Sequence, residues 1–184
     1  MTTKTHWNLP AVPRHVIQMF VIDQECNLLL MHRSSTVRSA PNVWSYPSGM
    51  HEIGDTAMDT ITRELKEELS LTPMTALMLD QYENIAGDPL YVENSLAELR
   101  PQFHWVISIY IVIVEDCTKF INNEPDKHDR IKIAAIEDIS STEFLEWHRA
   151  HDSLHSTLLL KGEHYRDVMY ALLYESGLID SLPE

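Results

Sequence analysis

The stretch from Gly49 to Leu71, GMHEIGDTAMDTITRELKEELSL, carries more information about this chain than any other. It contains three carboxylates at helical spacing, Glu64, Glu67 and Glu68. Each residue advances about 100° around a helix, so these three side chains share one side of it. Like charges held this close repel each other unless a cation binds them, and carboxylate oxygens suit a hard divalent cation such as Mg²⁺ or Mn²⁺. The spacing therefore predicts a metal-binding helix face.

The same stretch predicts how the helix begins, packs and ends. A turn containing Gly49 and Gly54 is expected to lead into it, and Asp55 or Thr56 can cap its first turn. Pro73 is expected to end it. Apolar residues recur at spacings of three and four and form one stripe: Met58, Ile61, Leu65 and Leu69. Because this stripe lies beside the acidic face, the helix can pack on a sheet and still present its carboxylates to a cleft.

The stretch resembles the Nudix box. The family pattern is Gly, five residues, Glu, seven residues, Arg-Glu, an aliphatic residue, any residue, Glu-Glu, any residue, Gly and an aliphatic residue. The matching positions are Gly49, Arg63, Glu64, Leu65, Glu67, Glu68 and Leu71. Two positions depart from the pattern, because Asp55 stands where the family has Glu and Ser70 stands where it has Gly. The preceding residues 44–48, WSYPS, also look like the family's lead-in.

The resemblance implies a fold and a chemistry. The fold would be α/β, an α/β/α sandwich with a mixed β-sheet. The activity would be divalent-metal-dependent hydrolysis of a phosphoanhydride bond in a nucleoside diphosphate linked to another group. The first candidate substrate is a nucleoside triphosphate, which would give nucleoside monophosphate and pyrophosphate. Mg²⁺ is the implied cofactor, with Mn²⁺ as the alternative, and homodimers are frequent in the family.

The resemblance also assigns roles to residues of this chain. The implied metal ligands are one backbone carbonyl and three carboxylates, from Gly49, Glu64, Glu67 and Glu68. Arg63 is expected to pair with Glu67 or Asp59 one helical turn away and so to hold carboxylates in orientation. Either Glu64 or Glu124 would act as the general base.

A second resemblance lies outside the box. Residues 123–127, NEPDK, are similar to a Glu-Pro-Glu-Lys stretch in Nudix enzymes that act on nucleoside triphosphates. Glu115 is a further candidate for the base. Arg33 and Arg38, in a predicted loop at 32–43, are expected to hold substrate phosphate because guanidinium matches phosphate geometry. Four aromatic residues are candidates for stacking on a base or for burial in the core: Trp44, Tyr82, Trp105 and Tyr110.

Composition limits the class of protein. With 184 residues and 44% hydrophobic content, residues 1–184 are predicted to form one domain, with 1–14 loosely ordered and 141–184 helical. A net charge of −14 argues against long nucleic acid as a partner. The longest apolar run, 105–114, is too short to span a bilayer and predicts a central strand buried on both faces. Cys26 and Cys117 form no CxxC pair, which favours a cytoplasmic location.

Other predicted elements follow from local patterns. Strands are expected at 15–22, 26–31, 43–46, 74–82, 103–114 and 131–136, and helices at 95–99, 141–149 and 163–175. The alternation of strands and helices predicts a layered α/β domain.

Three alternatives remain open at the level of sequence. The departures at Asp55 and Ser70 leave room for a non-catalytic, Nudix-like nucleotide-binding module. A Nudix enzyme could instead act on dinucleoside polyphosphates, nucleotide sugars or capped RNA. Isomerisation of isoprenoid diphosphates would need a cysteine near the diphosphate, and Cys26 and Cys117 lie poorly for that role.

Overall fold

The computed structural model describes residues 13–37, 41–42, 44–84, 104–137 and 156–182. Its strands are β1 (Pro13–Ile22), β2 (Asn27–Arg33), β3 (Trp44–Ser45), β4 (Ser48–Met50), β5 (Pro73–Asn84), β6 (His104–Val114) and β7 (His128–Ala135). Its helices are α1 (Ala57–Leu69) and α2 (Ser156–Glu175), with a short 3₁₀ turn at Cys117–Lys119. None of the helices in this part of the chain is long and apolar enough to cross a membrane.

The strands form one seven-stranded mixed sheet in the order β3-β2-β1-β6-β5, with β4 paired to β1 and β7 paired to β2. The pairing of β1 with β6 is parallel, and the other pairings are antiparallel. Strand β6 lies inside the sheet, between β1 and β5, and its residues from Ile111 to Val114 are buried on both faces, as the sequence predicted.

The two helices cover opposite faces of the sheet. Alternate residues of β1 and β2 point to alternate faces, and they divide into two cores. The α1 core contains Ile17, Met19, Val21, Leu29, Met31, Ile61, Leu65 and Leu69. The α2 core contains Phe20, Ile22, Leu28, Leu30, Tyr165, Met169 and Leu173. The predicted α/β/α sandwich with a mixed sheet is therefore confirmed.

Helix α1 begins where the sequence predicts, but the residue that ends it is not the predicted one. Thr56 is the N-cap and forms a capping box with Asp59. The C-cap is Ser70, at φ 56° and ψ 20°, so serine adopts the left-handed conformation in which glycine usually ends a helix. Pro73 instead begins β5, and the prediction that it stops the helix is wrong.

The remaining differences concern short or unusual elements. Strand β4 was not predicted, and it places Gly49 in the sheet rather than in a turn. Gly54 does lie in a turn, at φ 98°. Strands β1, β5 and β7 begin before their predicted first residues. The predicted helices at 95–99 and 141–149 and most of the predicted loose segment 1–14 lie outside the described residues.

Candidate active site

Gly49 and Glu64 lie against each other where β4 meets α1. Strand β4 pairs with β1 so that Gly49 stands opposite Ile17, which fixes the backbone of Gly49 in the sheet. The carboxyl group of Glu64 occupies the space in which a side chain at position 49 would begin. Glycine is needed here because the carboxyl group approaches the backbone so closely. The side chain of Glu64 is only 13% exposed, so its carboxylate lies at the sheet rather than in bulk solvent.

The guanidinium group of Arg63 connects α1 to the loop that precedes it. Its Nη1 donates to Oε1 of Glu64 at 2.5 Å, and its Nη2 donates to the carbonyl oxygen of Met50 at 2.9 Å. Nη2 also lies 3.5 Å from Oδ2 of Asp55. One rigid group with several donors thus holds a carboxylate of the helix, the end of β4 and a carboxylate of the loop in fixed relative positions.

The predicted partners of Arg63 are only partly found. Nη1 of Arg63 lies 3.9 Å from Oε2 of Glu67, which is a long ion pair. Asp59 does not pair with Arg63, because its Oδ2 accepts from the backbone N–H of Thr56 at 2.8 Å in the capping box.

Asp55, one of the two departures from the box, takes part in ordering the loop before α1. Its Oδ2 accepts from Oγ1 of Thr60 at 3.2 Å, in addition to its contact with Arg63. A side chain one methylene shorter than glutamate therefore still reaches the guanidinium group.

The loop from Ile121 to Lys127 lies against the C-terminal end of α1. The backbone N–H of Asn123 donates to the carbonyl oxygen of Glu68 at 3.0 Å, and that of Ile121 donates to Leu69 at 2.8 Å. Nδ2 of Asn123 donates to Oγ of Ser70 at 2.8 Å. These bonds satisfy carbonyl groups that the helix end leaves free, and they fix the next residue of the loop, Glu124, beside the helix.

A compact group of three titratable side chains results. Glu68, Glu124 and His128 each offer one ligand atom, and these atoms all lie within 4.8 Å of one another. Glu68 and His128 are buried, at 7% and 5% exposure. Oε2 of Glu68, Oε2 of Glu124 and Nδ1 of His128 are inaccessible to solvent and have no hydrogen-bond partner. An unsatisfied buried polar group costs about 1–3 kcal/mol, so a bound cation would relieve this arrangement.

The electrostatics of the group indicate a deficit of positive charge. Burial, with the charges of Glu64 and Glu124, raises the pKa of Glu68 to about 8. Burial, only partly opposed by Arg63, also raises the pKa of Glu64. For His128, burial and then the charge of Arg33 lower the pKa to about 4, so its imidazole is neutral near pH 7 and has a lone pair for a metal. The donor set fits a divalent cation.

Of the remaining predicted site residues, only Arg33 lies near the group formed by Glu68, Glu124 and His128 in the part of the chain that the structure describes. Glu67 is 59% exposed and lies on the solvent side of α1. Arg33, at the end of β2, stands opposite His128, near enough to lower the pKa values of both Glu68 and His128. Arg38 lies outside the described residues. Glu115 is 81% exposed and lies 3.6 Å from Lys119, with no contact to the group among the described residues.

The aromatic candidates differ in how far they are buried. Trp44 is buried beside His32, and the guanidinium group of Arg14 lies 5.9 Å from the ring of Trp105. Tyr82 packs against the α2 core and Tyr110 against the α1 core. Trp44 is thus a core residue, whereas Tyr82, Trp105 and Tyr110 are only partly buried.

Comparison with known proteins identifies the family. The family model of the NUDIX domain matches residues 12–158. The chain therefore belongs to the Nudix family, and it is a Nudix pyrophosphohydrolase, an enzyme that hydrolyses phosphoanhydride bonds. No curated protein sequence matches the chain significantly.

Solved structures with the same fold come from several organisms. The MutT protein from Methanosarcina mazei Go1 superposes with a TM-score of 0.60 at 13% identity, over 86% of this chain and 98% of that one. DR0079 from Deinococcus radiodurans superposes with a TM-score of 0.55 at 17% identity, over 89% of each chain. The MutT NUDIX hydrolase from Burkholderia pseudomallei superposes with a TM-score of 0.52 at 20% identity, over 68% of this chain and 85% of that one. At such identities these matches support the fold alone.

Proposed function

We propose that this chain is a divalent-metal-dependent hydrolase of nucleotides, with Mg²⁺ or Mn²⁺ as cofactor. The substrate would be a nucleoside diphosphate linked to another group, first of all a nucleoside triphosphate cleaved to nucleoside monophosphate and pyrophosphate. One observation carries the proposal: the carboxyl groups of buried Glu68 and half-buried Glu124 converge, each with a buried and unpartnered oxygen, near the cationic side chain of Arg33.

The proposed ligands follow from this geometry and from the box. Glu68 and Glu124 would hold the ion, with Glu64, Glu67 and the carbonyl of Gly49 as the further ligands that the box implies. When bound, the ion would supply positive charge at the phosphate oxygens and lower the pKa of a water molecule. Arg33 would hold a phosphate group of the substrate through its planar guanidinium, and Arg38 is proposed for the same role.

Two carboxylates are candidates for the general base. Glu64 is favoured, because burial raises its pKa and so strengthens it as a proton acceptor near neutral pH. Arg63 would orient it. Glu124 is the second candidate, with one oxygen held by Nζ of Lys127 at 2.6 Å and the other, Oε2, buried without a partner.

The nucleotide part of the proposal rests on residues 123–127. Their similarity to the stretch found in family members that act on nucleoside triphosphates is supported by their position, since this loop carries Glu124 to the end of α1.

We also propose one domain, a cytoplasmic location and, from the family resemblance, a homodimer. Tyr165, Met169 and Leu173 of α2 pack in the same core as β1 and β2, which supports a single unit. Cys26 and Cys117 are both free thiols, which is typical of a reducing compartment.

The test is a screen for phosphate release in the presence of Mg²⁺. The panel would contain nucleoside triphosphates, nucleotide sugars, dinucleoside polyphosphates and capped RNA. We expect Glu64→Gln and Glu68→Gln each to reduce turnover by about 100-fold or more without loss of the fold. Glu175→Gln, which changes an exposed acid at the end of α2, is the matched control and should retain wild-type turnover. Wild-type rates in both of the first two variants would refute the proposal.

A non-catalytic binding module is the weaker alternative, because the departures that suggested it are accommodated. Asp55 still contacts Arg63, and Ser70 adopts the left-handed conformation expected of the family glycine. This alternative would be favoured by nucleotide binding without product release across the whole panel.

A further inference from the structure

A one-residue bulge in β7 turns His128 toward α1. Strands β2 and β7 pair in regular register as far as His32, after which the register shifts and Arg33 stands opposite His128. Ile131 points to the face of the sheet that α1 covers. Side chains alternate along a strand, so without the shift Asp129 would point to that face as well. Asp129 instead contacts Nδ1 of His32 at 2.6 Å on the α2 face, and His128 takes the position on the α1 face. Bulges commonly re-aim side chains in this way next to active sites.

In this position His128 lies beside two carboxyl groups that each have an oxygen without a hydrogen-bond partner. His128 is 5% exposed, and its Nδ1 has no hydrogen-bond partner. The nearby residue Glu68 is 7% exposed, and its Oε2 is also unpartnered. The third residue, Glu124, is oriented by Lys127, whose Nζ holds Oε1 at 2.6 Å while Oε2 stays buried and unpartnered. One ligand atom from each of the three residues lies within 4.8 Å of the others.

A nitrogen among the ligands changes which metals the group suits. Mg²⁺ prefers oxygen ligands and octahedral geometry, whereas imidazole nitrogen binds first-row transition metals well. We propose that His128 is a metal ligand, and that with Glu68 and Glu124 it forms a mixed nitrogen and oxygen site that binds Mn²⁺ in preference to Mg²⁺. This inference rests on the proposed metal-dependent function and specifies the metal chemistry of that same site.

The test is electron spin-echo spectroscopy of Mn²⁺ bound to the whole chain, without nucleotide and in a nitrogen-free buffer. We expect modulation from a directly coordinated ¹⁴N nucleus in the wild type, and replacement of that signal when the protein is labelled with ¹⁵N-histidine. His128→Ala should abolish the modulation and weaken Mn²⁺ binding, measured by titration calorimetry, by roughly tenfold or more.

A second variant keeps the test decisive if His128→Ala folds poorly. His128→Asn places an amide group close to the position of Nδ1, so it can offer an oxygen ligand. We expect it to fold and to bind Mg²⁺, but to lose the histidine-derived nitrogen signal and most of the preference for Mn²⁺. His164→Gln changes an exposed histidine of α2 and is the matched control, which should keep the wild-type spectrum.

The outcomes separate this inference from the proposed function. Absence of nitrogen coupling in the wild-type Mn²⁺ protein, or its persistence in both His128 variants, would overturn the inference even if nucleotide hydrolysis with Mg²⁺ proceeds normally. Nitrogen coupling that depends on His128 would support the site even if no nucleotide of the panel is hydrolysed, in which case the proposed function alone would fail.

Discussion

The carboxyl group of Glu64 lies in the volume that a side chain at position 49 would occupy. The glycine of β4 and the glutamate of α1 are thus complementary in shape, and each residue restricts the other. This contact explains in physical terms why the first glycine of the box and the glutamate that follows its arginine occur together. It also means that the position of a candidate base depends on the absence of a single methyl group.

The first prediction is that Gly49→Ala reduces turnover much more than it reduces stability. The added methyl group overlaps the end of a flexible side chain rather than the backbone, so Glu64 can rotate away and the fold is kept. Because a displacement of about 1 Å can cost about 100-fold in rate, we expect at least a tenfold loss in kcat. The free energy of unfolding, measured by urea denaturation, should change by no more than about 1 kcal/mol.

Gly54→Ala is the matched control, and we expect it to lose stability but to keep its turnover. Gly54 has φ 98° and nothing within 4 Å of an added Cβ. Alanine there is strained by about 1–2 kcal/mol but touches no candidate ligand. A variant pair in which Gly54→Ala lost the activity and Gly49→Ala kept it would contradict the proposed placement of Glu64.

The second prediction concerns the connection that Arg63 makes between helix and loop. Lysine at this position keeps the charge but presents a single ammonium group, which cannot hold Glu64 and the carbonyl of Met50 in the same geometry as the guanidinium fork. Loss of such an orienting contact typically costs 10–100-fold, and we expect this range for kcat of Arg63→Lys. Arg166→Lys, which alters an exposed pair with Asp167 on α2, should have wild-type kinetics.

The parts of the fold that the sequence predicted are those decided by strong local patterns. Of the predicted stripe at helical spacing, Ile61, Leu65 and Leu69 are fully buried in the α1 core, whereas its first residue, Met58, is 37% exposed. The apolar run in β6 likewise required a central position. The acids of the box were expected at one helix face, and Glu64 and Glu68 do lie on its inner side.

The parts that the sequence did not predict depend on contacts between distant segments. Strand β4 is only three residues long, and its pairing with β1 has no local signal. The role of His128 depends on a bulge, which shifts the register of β7 by one residue and so reverses the face to which the side chain points. A histidine in a polar loop sequence gives no indication of such a reversal.

The third prediction separates the two effects of serine at the end of α1. Ser70 is strained in the left-handed conformation, by about 1–2 kcal/mol, but its Oγ accepts a hydrogen bond from Asn123 at 2.8 Å, which contributes about 0.5–1.5 kcal/mol. Ser70→Ala loses the bond and keeps the strain, whereas Ser70→Gly loses both. We therefore expect Ser70→Gly to be more stable than Ser70→Ala by about 1 kcal/mol, as measured by urea denaturation.

Equal stability of the two Ser70 variants would show that the left-handed conformation costs nothing at this position. Asn123→Ala provides a further check, because it removes the same hydrogen bond, together with a longer one from Nδ2 to the carbonyl oxygen of Lys66 at 3.3 Å, and leaves serine at position 70. We expect it to be at least as destabilising as the loss of the Ser70 bond alone.

The fourth prediction is that the metal-free protein loses stability as pH rises from about 6.5 to about 8. The pKa of Glu68 is about 8 in the folded protein, against an ordinary value of 4.5. A raised pKa contributes stability that is fully present below the unfolded value and is lost as pH rises through the folded value. The lowered pKa of His128, about 4 against 6.5, acts in the opposite direction, but only below pH 6.5. Glu68 therefore dominates between pH 6.5 and 8.

Chemical denaturation in EDTA at several pH values across that range would measure the effect. We expect the free energy of unfolding of the wild type to fall by at most about 1.4 kcal/mol per pH unit for this one proton. Glu68→Gln, which has no titrating group at this position, should show little slope. Mg²⁺ or Mn²⁺ should stabilise the wild type more at pH 8 than at pH 6.5, because the metal binds the ionised carboxylate and must otherwise displace its proton. A wild-type slope that matches the slope of Glu68→Gln would mean that Glu68 is already ionised at neutral pH, and that the charge deficit inferred for the site is compensated within the chain.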